Sequence, residues 1–455
     1  MLRLLCVTLL SFLVFITCDP CNPLIASIIK QAIIAKAAAA GFAIPNIQCI
    51  AQHTDGTYDF EALGLVLRIN PTTSQADIIS GDPGEAYGLL NTTDISVVNV
   101  TAFNQFTNDA TAIRVSFADA LPHNSSNAGL TIGWNTQYTY NNTVSQILFD
   151  SVNPPITTYN GTSTTYDAAG GVSFHYVTIN NLNHSALYYY SIIQQGNSTS
   201  NTTDIYNVTT SQLAGDATEF SFIHMADMGL DEGSGTHTGL IQQLINYSFI
   251  AHVGDISYAD DYFVTATLSN DTYESIYNKW QSYVQPISSV RPYMVGVGNH
   301  EASCQEVLPT ICPPSQQYFN TYNNRYMMPS KQSNATAHNM WYSINYGLLH
   351  LVFINSETDY LNSPEGPNST FHTPDFSNTT QGEQTQYQWL LNDLSAVNRT
   401  LTPWLIVTSH RPMYSSATDN RSLTNYTYSI DLINAFEPVL QKYSVDLFLS
   451  GHVHW

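Results

Sequence analysis

From Phe220 to Leu449 the chain alternates short apolar runs with longer stretches whose apolar residues recur at helical spacing. The runs at Phe220–Met225, Phe249–Val253, Tyr293–Val297, Trp404–Thr408 and Val445–Leu449 read as buried strands. Helical spacing marks Thr238–Tyr247, Tyr273–Ile287, Gln384–Val397 and Ile430–Tyr443, and Met340–Asn355 has the pattern of a hairpin. Strand–helix alternation of this kind predicts an α/β region built on a largely parallel sheet. Between Ile95 and Leu213 the texture differs. Thr131–Trp134, Val172–Ile179 and Leu187–Ile193 alternate apolar with polar residues, and Asn, Gly, Ser and Pro separate them. Short strands at that spacing predict a β-sandwich, joined to the α/β region through a linker at Gly215–Thr218. An Ala/Ile-rich helix is expected over Pro23–Phe42. Before it, Arg3 and a hydrophobic run ending at Thr17 and Cys18 read as a secretory signal peptide, too short to span a membrane. The expected organisation is a signal peptide over 1–18, a helical N-terminal extension over 19–90, a β-sandwich over 91–215 and an α/β domain over 216–455.

Charge narrows the partners. The formal net charge is −22, with only 13 Lys plus Arg. Such a surface repels nucleic-acid backbones and anionic membranes, and no basic stripe offsets it. An anionic substrate would need another attractor, and metal ions would serve. Of the six cysteines, Cys6 lies in the signal and cleavage after Cys18 removes a second. The remaining four pair as Cys21 with Cys49 and Cys304 with Cys312, which suits an oxidising compartment. So do many N-x-[ST] sequons, among them Asn91, Asn99, Asn160, Asn197, Asn207, Asn334, Asn378 and Asn425. The mature chain is therefore expected to be secreted and extracellular, or vacuolar–lysosomal, with no stable membrane association.

Candidate chemistry lies where the predicted strands end. The first strand leads to Asp227 in ADMG, the second to Asp255 and Tyr258 in GDISY, the third to Asn299 and His300 in GNHE. The fourth leads to His410 in VTSH and the last to His452 and His454 in GHVH. In open α/β sheets the carboxyl edge is where ligands bind. Singly, each residue has a simpler reading as a turn, a cap or a hydrogen-bonded histidine. Jointly, five strand ends carry hard oxygen or imidazole donors suited to metal ions. His452 and His454 stand two apart on an extended segment, so both rings point the same way.

These five blocks, in this order, resemble those of the purple acid phosphatases, a branch of the calcineurin-like metallophosphoesterases. The likeness continues through NMWYSINYGLLHLVFINSETD and HRPMY, and GNHEASC…CPPS with GHVHW is most similar to the fungal type. The resemblance implies a metallophosphoesterase α/β sandwich preceded by a fibronectin III-like β-sandwich. It implies Fe(III) held by Asp227, Tyr258, His454 and a bridging Asp255. A divalent iron, zinc or manganese ion would be held by Asp255, Asn299, His410 and His452. The implied activity is hydrolysis of small phosphate monoesters by a metal-bound hydroxide, with His300 meeting the phosphoryl group or leaving oxygen. A phenolate on Fe(III) implies a purple protein. Two alternatives are a phosphodiesterase or nucleotide pyrophosphatase on the same scaffold, and a glycoprotein with a binding role and an inactive site.

Two departures accompany the resemblance. Where many members carry a further histidine as proton donor, this chain has Asp419 and Asn420, and Asp419 is either that donor or a solvated loop residue. The sequence stops at Trp455, where members continue with more strands, so an incomplete C-terminus is expected. Among the remaining polar residues, His224 is expected to pack beside the first strand, Asp260 and Asp261 to cap the next segment, and Arg411 and Tyr414 to shape the pocket rim. Cys304–Cys312 is expected to pin the loop after GNHE.

Overall fold

A computed structural model describes residues 48–52, 58–62, 65–70, 75–80 and 110–454, except 119–126, 138–144, 167–168, 170–171, 196–199, 231–233, 262–271, 306–311, 330–338, 358–385 and 416–424. Two compact units emerge, one from residues 1–107 with 196–199, the other from 108–195 with 200–455.

In the first unit, β1 (Gln48–Gln52), β2 (Tyr58–Ala62), β3 (Leu65–Asn70) and β4 (Gln75–Ser80) form an antiparallel meander. This corrects the expectation of a helical extension over 19–90. The Ala-rich composition that favours helix ends near Phe42, and runs such as LVLRIN in β3 carry the branched, alternating residues that suit strands. The expected signal peptide, the Pro23–Phe42 helix and Cys21, the expected partner of Cys49 in β1, lie outside the described residues.

The second unit begins with antiparallel strands β5 (Thr111–Phe117), β6 (Ala128–Gln137), β7 (Gln146–Asp150), β8 (Thr158–Asn160), β9 (Thr162–Thr164), β10 (Val172–Leu182), β11 (Leu187–Gln195), β12 (Ser200–Thr202) and β13 (Tyr206–Thr209). They make two sheets, ordered β5-β6-β10-β9 and β12-β11-β7-β8, with β13 also paired to β11. Residues on the shared core include Leu130, Ile132 and Trp134 of β6 with Phe149, Tyr190 and Ile192. Apolar and polar residues alternate there as predicted, but β5, β6 and β10 are buried on both faces. Val177 and Ile179 join the main core, whereas Val172, Phe174 and Tyr176 form a second cluster with Ala169. Asn160 and Asn207 are exposed on β8 and β13. Asn425 begins a helix, and Asn91, Asn99, Asn197, Asn334 and Asn378 lie outside the described residues.

The α/β region follows as β14 (Ile223–Met225), α1 (Ser234–Gln242), β15 (Ile250–Val253), α2 (Tyr273–Ser288), β16 (Tyr293–Gly296), α3 (Asn320–Arg325), β17 (Tyr342–Tyr346), β18 (Leu349–Phe353), α4 (Gln386–Ala396), β19 (Trp404–Thr408), α5 (Asn425–Lys442) and β20 (Leu447–Leu449). Every predicted strand, helix and the hairpin is present. They divide into two sheets, as the α/β sandwich implied by the resemblance requires and unlike the single sheet that strand–helix alternation alone suggests: a parallel β14-β15-β16, and β17-β18-β19-β20, parallel except for the β17–β18 hairpin. The sheets pack against each other. Tyr342 Oη donates to the Val295 carbonyl at 2.8 Å, and His224 Nε2 meets Thr408 Oγ1 at 2.8 Å. His224 thus packs beside the first strand as expected. Helix α2 shows how local sequence sets an element. Thr272 and Ser275 close a reciprocal capping box, and Ile276, Tyr277, Trp280, Val284 and Ile287 recur at helical spacing on its buried side. Because β14, β15, β16, β19 and β20 keep parallel company, their carboxyl ends gather at one edge.

Candidate metal centre

At that edge the chain bends into left-handed backbone at Asp227 (φ 58°), Asp255 (φ 49°), Tyr258 (φ 51°) and His452 (φ 71°). Non-glycine residues seldom adopt this conformation, and its clustering is a mark of functional sites. Gly254 makes the turn possible before Asp255, with its own φ at 82°. Gly298 is required by closeness, since a Cβ there would stand 2.3 Å from Asp255 Oδ1.

Two sets of donor atoms result, and both use the same oxygen of Asp255. In the first, Tyr258 Oη lies 2.7 Å from His454 Nε2, 3.1 Å from Asp227 Oδ1 and 3.5 Å from Asp255 Oδ2. His454 Nε2 is 3.2 Å from Asp227 Oδ1. In the second, His410 Nε2 lies 3.0 Å from Asp255 Oδ2, 3.2 Å from Asn299 Oδ1 and 3.2 Å from His452 Nδ1. A cation with bonds of about 2.1 Å needs neighbouring donors roughly 3.0–3.4 Å apart, so both sets fit one. The donor atoms of Asp255, His410 and His452 all lie within 4.8 Å of one another. All seven ligand candidates read from the strand ends converge here.

The surroundings orient these donors. His410 Nδ1 lies 3.0 Å from the Val253 carbonyl, which can only accept, so Nδ1 carries a proton and Nε2 is the nitrogen turned to the centre. His452 presents Nδ1 inward, and its Nε2 lies 3.0 Å from Arg411 Nη1. The His452 amide donates to Asp227 Oδ2 at 2.9 Å, and the His300 amide donates to Asp255 Oδ1 at 3.1 Å. Burial and then the Asp255 and Asp227 carboxylates push the Tyr258 phenol far above its ordinary range. Burial pulls His410 down, but the Asp255 carboxylate outweighs it and raises the imidazole to about 9. Acids and a phenol that face one another in this way suit a cation.

His300 sits beside the first set, its ring 4.3 Å from that of Tyr258 and its Nε2 3.7 Å from Asp255 Oδ2. Its Nδ1 meets both oxygens of Asp260, at 2.8 and 2.9 Å. Asp260 is therefore more than a cap. It lies buried in a short turn, where burial lifts its carboxyl to about 6 against the opposing pull of His300. Asp261, the other expected cap, is exposed and 3.9 Å from the same ring.

Three supporting groups have no counterpart in the sequence reading. Buried Glu301 accepts from the amides of Asp255, Ile256 and Gly298, each at 2.8 Å, which locks the β15 turn to the GNHE loop. Ser356 and Glu357, at the carboxyl end of β18, hold Arg411. Ser356 Oγ accepts from its amide at 2.9 Å, and both Glu357 oxygens accept from its Nε at 2.8 Å. Arg411 is thus buried and anchored, whereas Tyr414 is exposed. The fourth letter of GNHE and the SE of NSETD were the available signals. Cys304 and Cys312 form a disulfide with Cα atoms 5.7 Å apart, and Cys304 donates to the Gln316 carbonyl at 3.1 Å, so the pin after GNHE is present. Asp419 and Asn420 lie outside the described residues.

An edge of parallel strands offering two donor sets around one carboxylate oxygen is a metallophosphoesterase arrangement. The profile of the calcineurin-like phosphoesterase family matches residues 220–455, and the chain belongs to that family. It is 32% identical over 374 residues to an acid phosphatase of Aspergillus ficuum, covering 62% of this chain and 59% of that one. It is 30% identical over 377 residues to acid phosphatase A of Cryphonectria parasitica, covering 71% of each. It is 30% identical over 233 residues to probable purple acid phosphatase 20 of Arabidopsis thaliana, covering 51% of this chain and 45% of that one. The fold is similar to that of purple acid phosphatase PPD1 from yellow lupin seeds, with a TM-score of 0.58 at 21% identity over 76% of this chain and 59% of that one. The chain thus spans between about half and about seven-tenths of the relatives it matches.

Proposed function

We propose that the chain is a phosphoric monoester hydrolase of the purple acid phosphatase kind, acting on small phosphate esters. The observation that carries this reading is the shared Oδ2 of Asp255, 3.0 Å from His410 Nε2 on one side and 3.5 Å from Tyr258 Oη on the other. Asp227, Tyr258, His454 and Asp255 would hold Fe(III). Asp255, Asn299, His410 and His452 would hold a divalent iron, zinc or manganese ion, because an amide and two imidazoles suit a less charged cation. When bound, such a pair supplies positive charge opposite the phosphoryl oxygens and lowers the pKa of water.

The chain's own residues do the rest. Asp260 accepts the His300 Nδ1 proton, fixes the ring and favours its protonated form. His300 Nε2–H would then donate to a phosphoryl or leaving-group oxygen. The anchored Arg411 braces His452 from behind. With a net charge of −22 the surface does not attract an anionic ester, so the cations of the centre would meet the substrate charge. Secretion into an extracellular or vacuolar space, glycosylation at the exposed sequons and a fibronectin III-like identity for the antiparallel sheets belong to the same proposal. No helix among the described residues is long and apolar enough to cross a membrane.

The test is metal analysis together with hydrolysis of an aryl phosphate and a bis-aryl phosphate at about pH 5. Two metals per chain, a visible absorption band and preference for the monoester are expected. Faster cleavage of the diester would move the chain to the phosphodiesterases. The Tyr258→Phe variant should lose the colour while keeping the divalent ion, and colour that survives it removes the phenolate assignment.

A further inference from the structure

We propose that the seam between the antiparallel sheets and the α/β layers binds one small monovalent anion of halide size beside Arg114. The seam buries two arginines, and the carboxylate that pairs with one of them is that of Glu274. Arg325 is fully buried and takes this carboxylate for itself, with Nη2 2.5 Å from Glu274 Oε2. Tyr166 Oη, Gln316 Nε2 at 2.9 Å and Thr321 Oγ1 at 3.5 Å complete the Glu274 shell.

Among the described residues, Arg114 hydrogen-bonds to neutral groups. Its Nη1 donates to the Ala112 carbonyl at 2.9 Å and to Asn135 Oδ1 at 3.0 Å, and its Nη2 donates to Tyr176 Oη at 3.1 Å. The faces of Tyr176 and Tyr326 lie 5.3 and 5.9 Å away and supply partial compensation. Amides link the two arginines, since Gln281 Oε1 accepts from both Asn135 Nδ2 at 2.9 Å and Arg325 Nη1 at 2.7 Å. Amides carry no charge, so one guanidinium is left without a counter-ion in a buried place, which is unfavourable unless something anionic joins it.

A cavity stands at this point, lined by Arg114, Gly133, Tyr176, Trp280 and Tyr326 among others, with a volume of about 20 Å³. On that measure one water needs roughly 10–15 Å³, so the space suits one particle of about that size. Three buried polar atoms of these lining residues have no hydrogen-bond partner, Arg114 Nε, Trp280 Nε1 and Tyr326 Oη. Arg114 and Trp280 can only donate, and Tyr326 can donate. Water would satisfy donors but leave the charge. A halide answers both demands at once.

The test uses the full chain with its metals. Crystals grown in bromide should give one anomalous peak in the cavity within hydrogen-bond distance of Arg114 Nε. Thermal unfolding in chloride against gluconate, at equal ionic strength, should show a saturable rise in Tm of about 2–4 °C. Arg114→Met should lack that rise. Should it fail to fold, Trp280→Phe keeps an aromatic but smaller side chain and removes the indole N–H, and it should need roughly tenfold more chloride for the same rise, the loss of one hydrogen bond to a charged group. A cavity without anomalous signal overturns the proposal. So does a Tm indifferent to chloride, or one that responds alike in wild type and Trp280→Phe.

Discussion

The seam and the metal edge are both buried and polar, yet they treat charge in opposite ways. In the seam, Arg325 is closed in by Glu274, Tyr166, Asn278 and Gln281, and it stacks on Phe174 and Tyr277. At the edge, Asp227, Asp255 and Tyr258 face one another across 3.1–3.5 Å from backbone held at positive φ. The first arrangement satisfies itself and contributes to folding. The second is left for something the chain does not contain, and it is held open by groups such as Glu301 that accept backbone amides behind it. If that contrast is right, variants in the two places should separate activity from stability.

The largest separation should come from Asp255→Asn. The neutral amide cannot bridge two cations, so metal content should fall from two per chain and phosphatase activity by about 10³-fold or more. Chemical denaturation of the metal-free protein should show some loss of stability too, because burial lifts the Asp255 carboxyl but His410, His300 and His452 outweigh it and hold the group well below its ordinary range; that loss should be far less than the loss of activity. Full metal retention with full activity would break the comparison at its centre.

Next in size is Arg325→Met, which strands Glu274 in the seam. Removing one partner of a buried ion pair costs about 3–5 kcal/mol, read as a lower urea midpoint. Metal stoichiometry in the folded fraction should stay unchanged. Loss of metal at unchanged stability would mean that the seam serves the site and not the fold.

How much of this was legible before the fold was known differs between the same two regions. The seven ligand candidates could be read because each directly follows a short apolar run, and a parallel arrangement sends all such ends to one side. Division into two sheets could be read from the resemblance but not from the strands themselves, since pairing between β16 and β18 or between β15 and β19 leaves no mark on either strand's own pattern. Glu301, Glu357 and Asp260 were missed for a related reason. Their partners Ile256, Arg411 and His300 lie 45, 54 and 40 residues away, and an acid that accepts amides looks in sequence like any capping residue. The seam was invisible altogether. Arg114 and Arg325 stand in a β-run and in a six-residue polar helix, where nothing local announces burial.

A third effect places acid sensitivity in the antiparallel sheets. His175 is buried against Trp134 at 5.1 Å, with its nitrogens on Thr136 Oγ1 and Ser145 Oγ, each at 2.8 Å. Burial, and then the Arg114 charge, lower it from 6.5 to about 4. The folded state therefore holds a neutral ring while the unfolded chain takes a proton below pH 6.5. Stability from this group is complete above about pH 6.5 and is lost as pH falls towards 4, by about 3 kcal/mol in all. His175→Gln should flatten that limb of the stability–pH curve. An unchanged slope between wild type and variant would assign the acid sensitivity elsewhere, to the carboxylates of the edge.

The smallest effect sharpens the comparison most, because it separates two roles within the edge itself. Asp260 touches no ligand candidate, yet it holds His300 through both oxygens. If it acts by positioning that ring, Asp260→Asn should leave two metals and the colour in place and lower kcat by about 10–100-fold. KM should hardly move, because the substrate charge is met by the cations. The amide offers one acceptor and one donor where the carboxylate offers two acceptors, so the ring can still be held but its protonated form is no longer favoured. The kcat loss should therefore be greatest for esters with poor leaving groups, which need the proton, and slight for activated aryl phosphates. A uniform loss across leaving groups would assign Asp260 to holding the loop in place, and loss of metal would return it to the acidic cluster with Asp261.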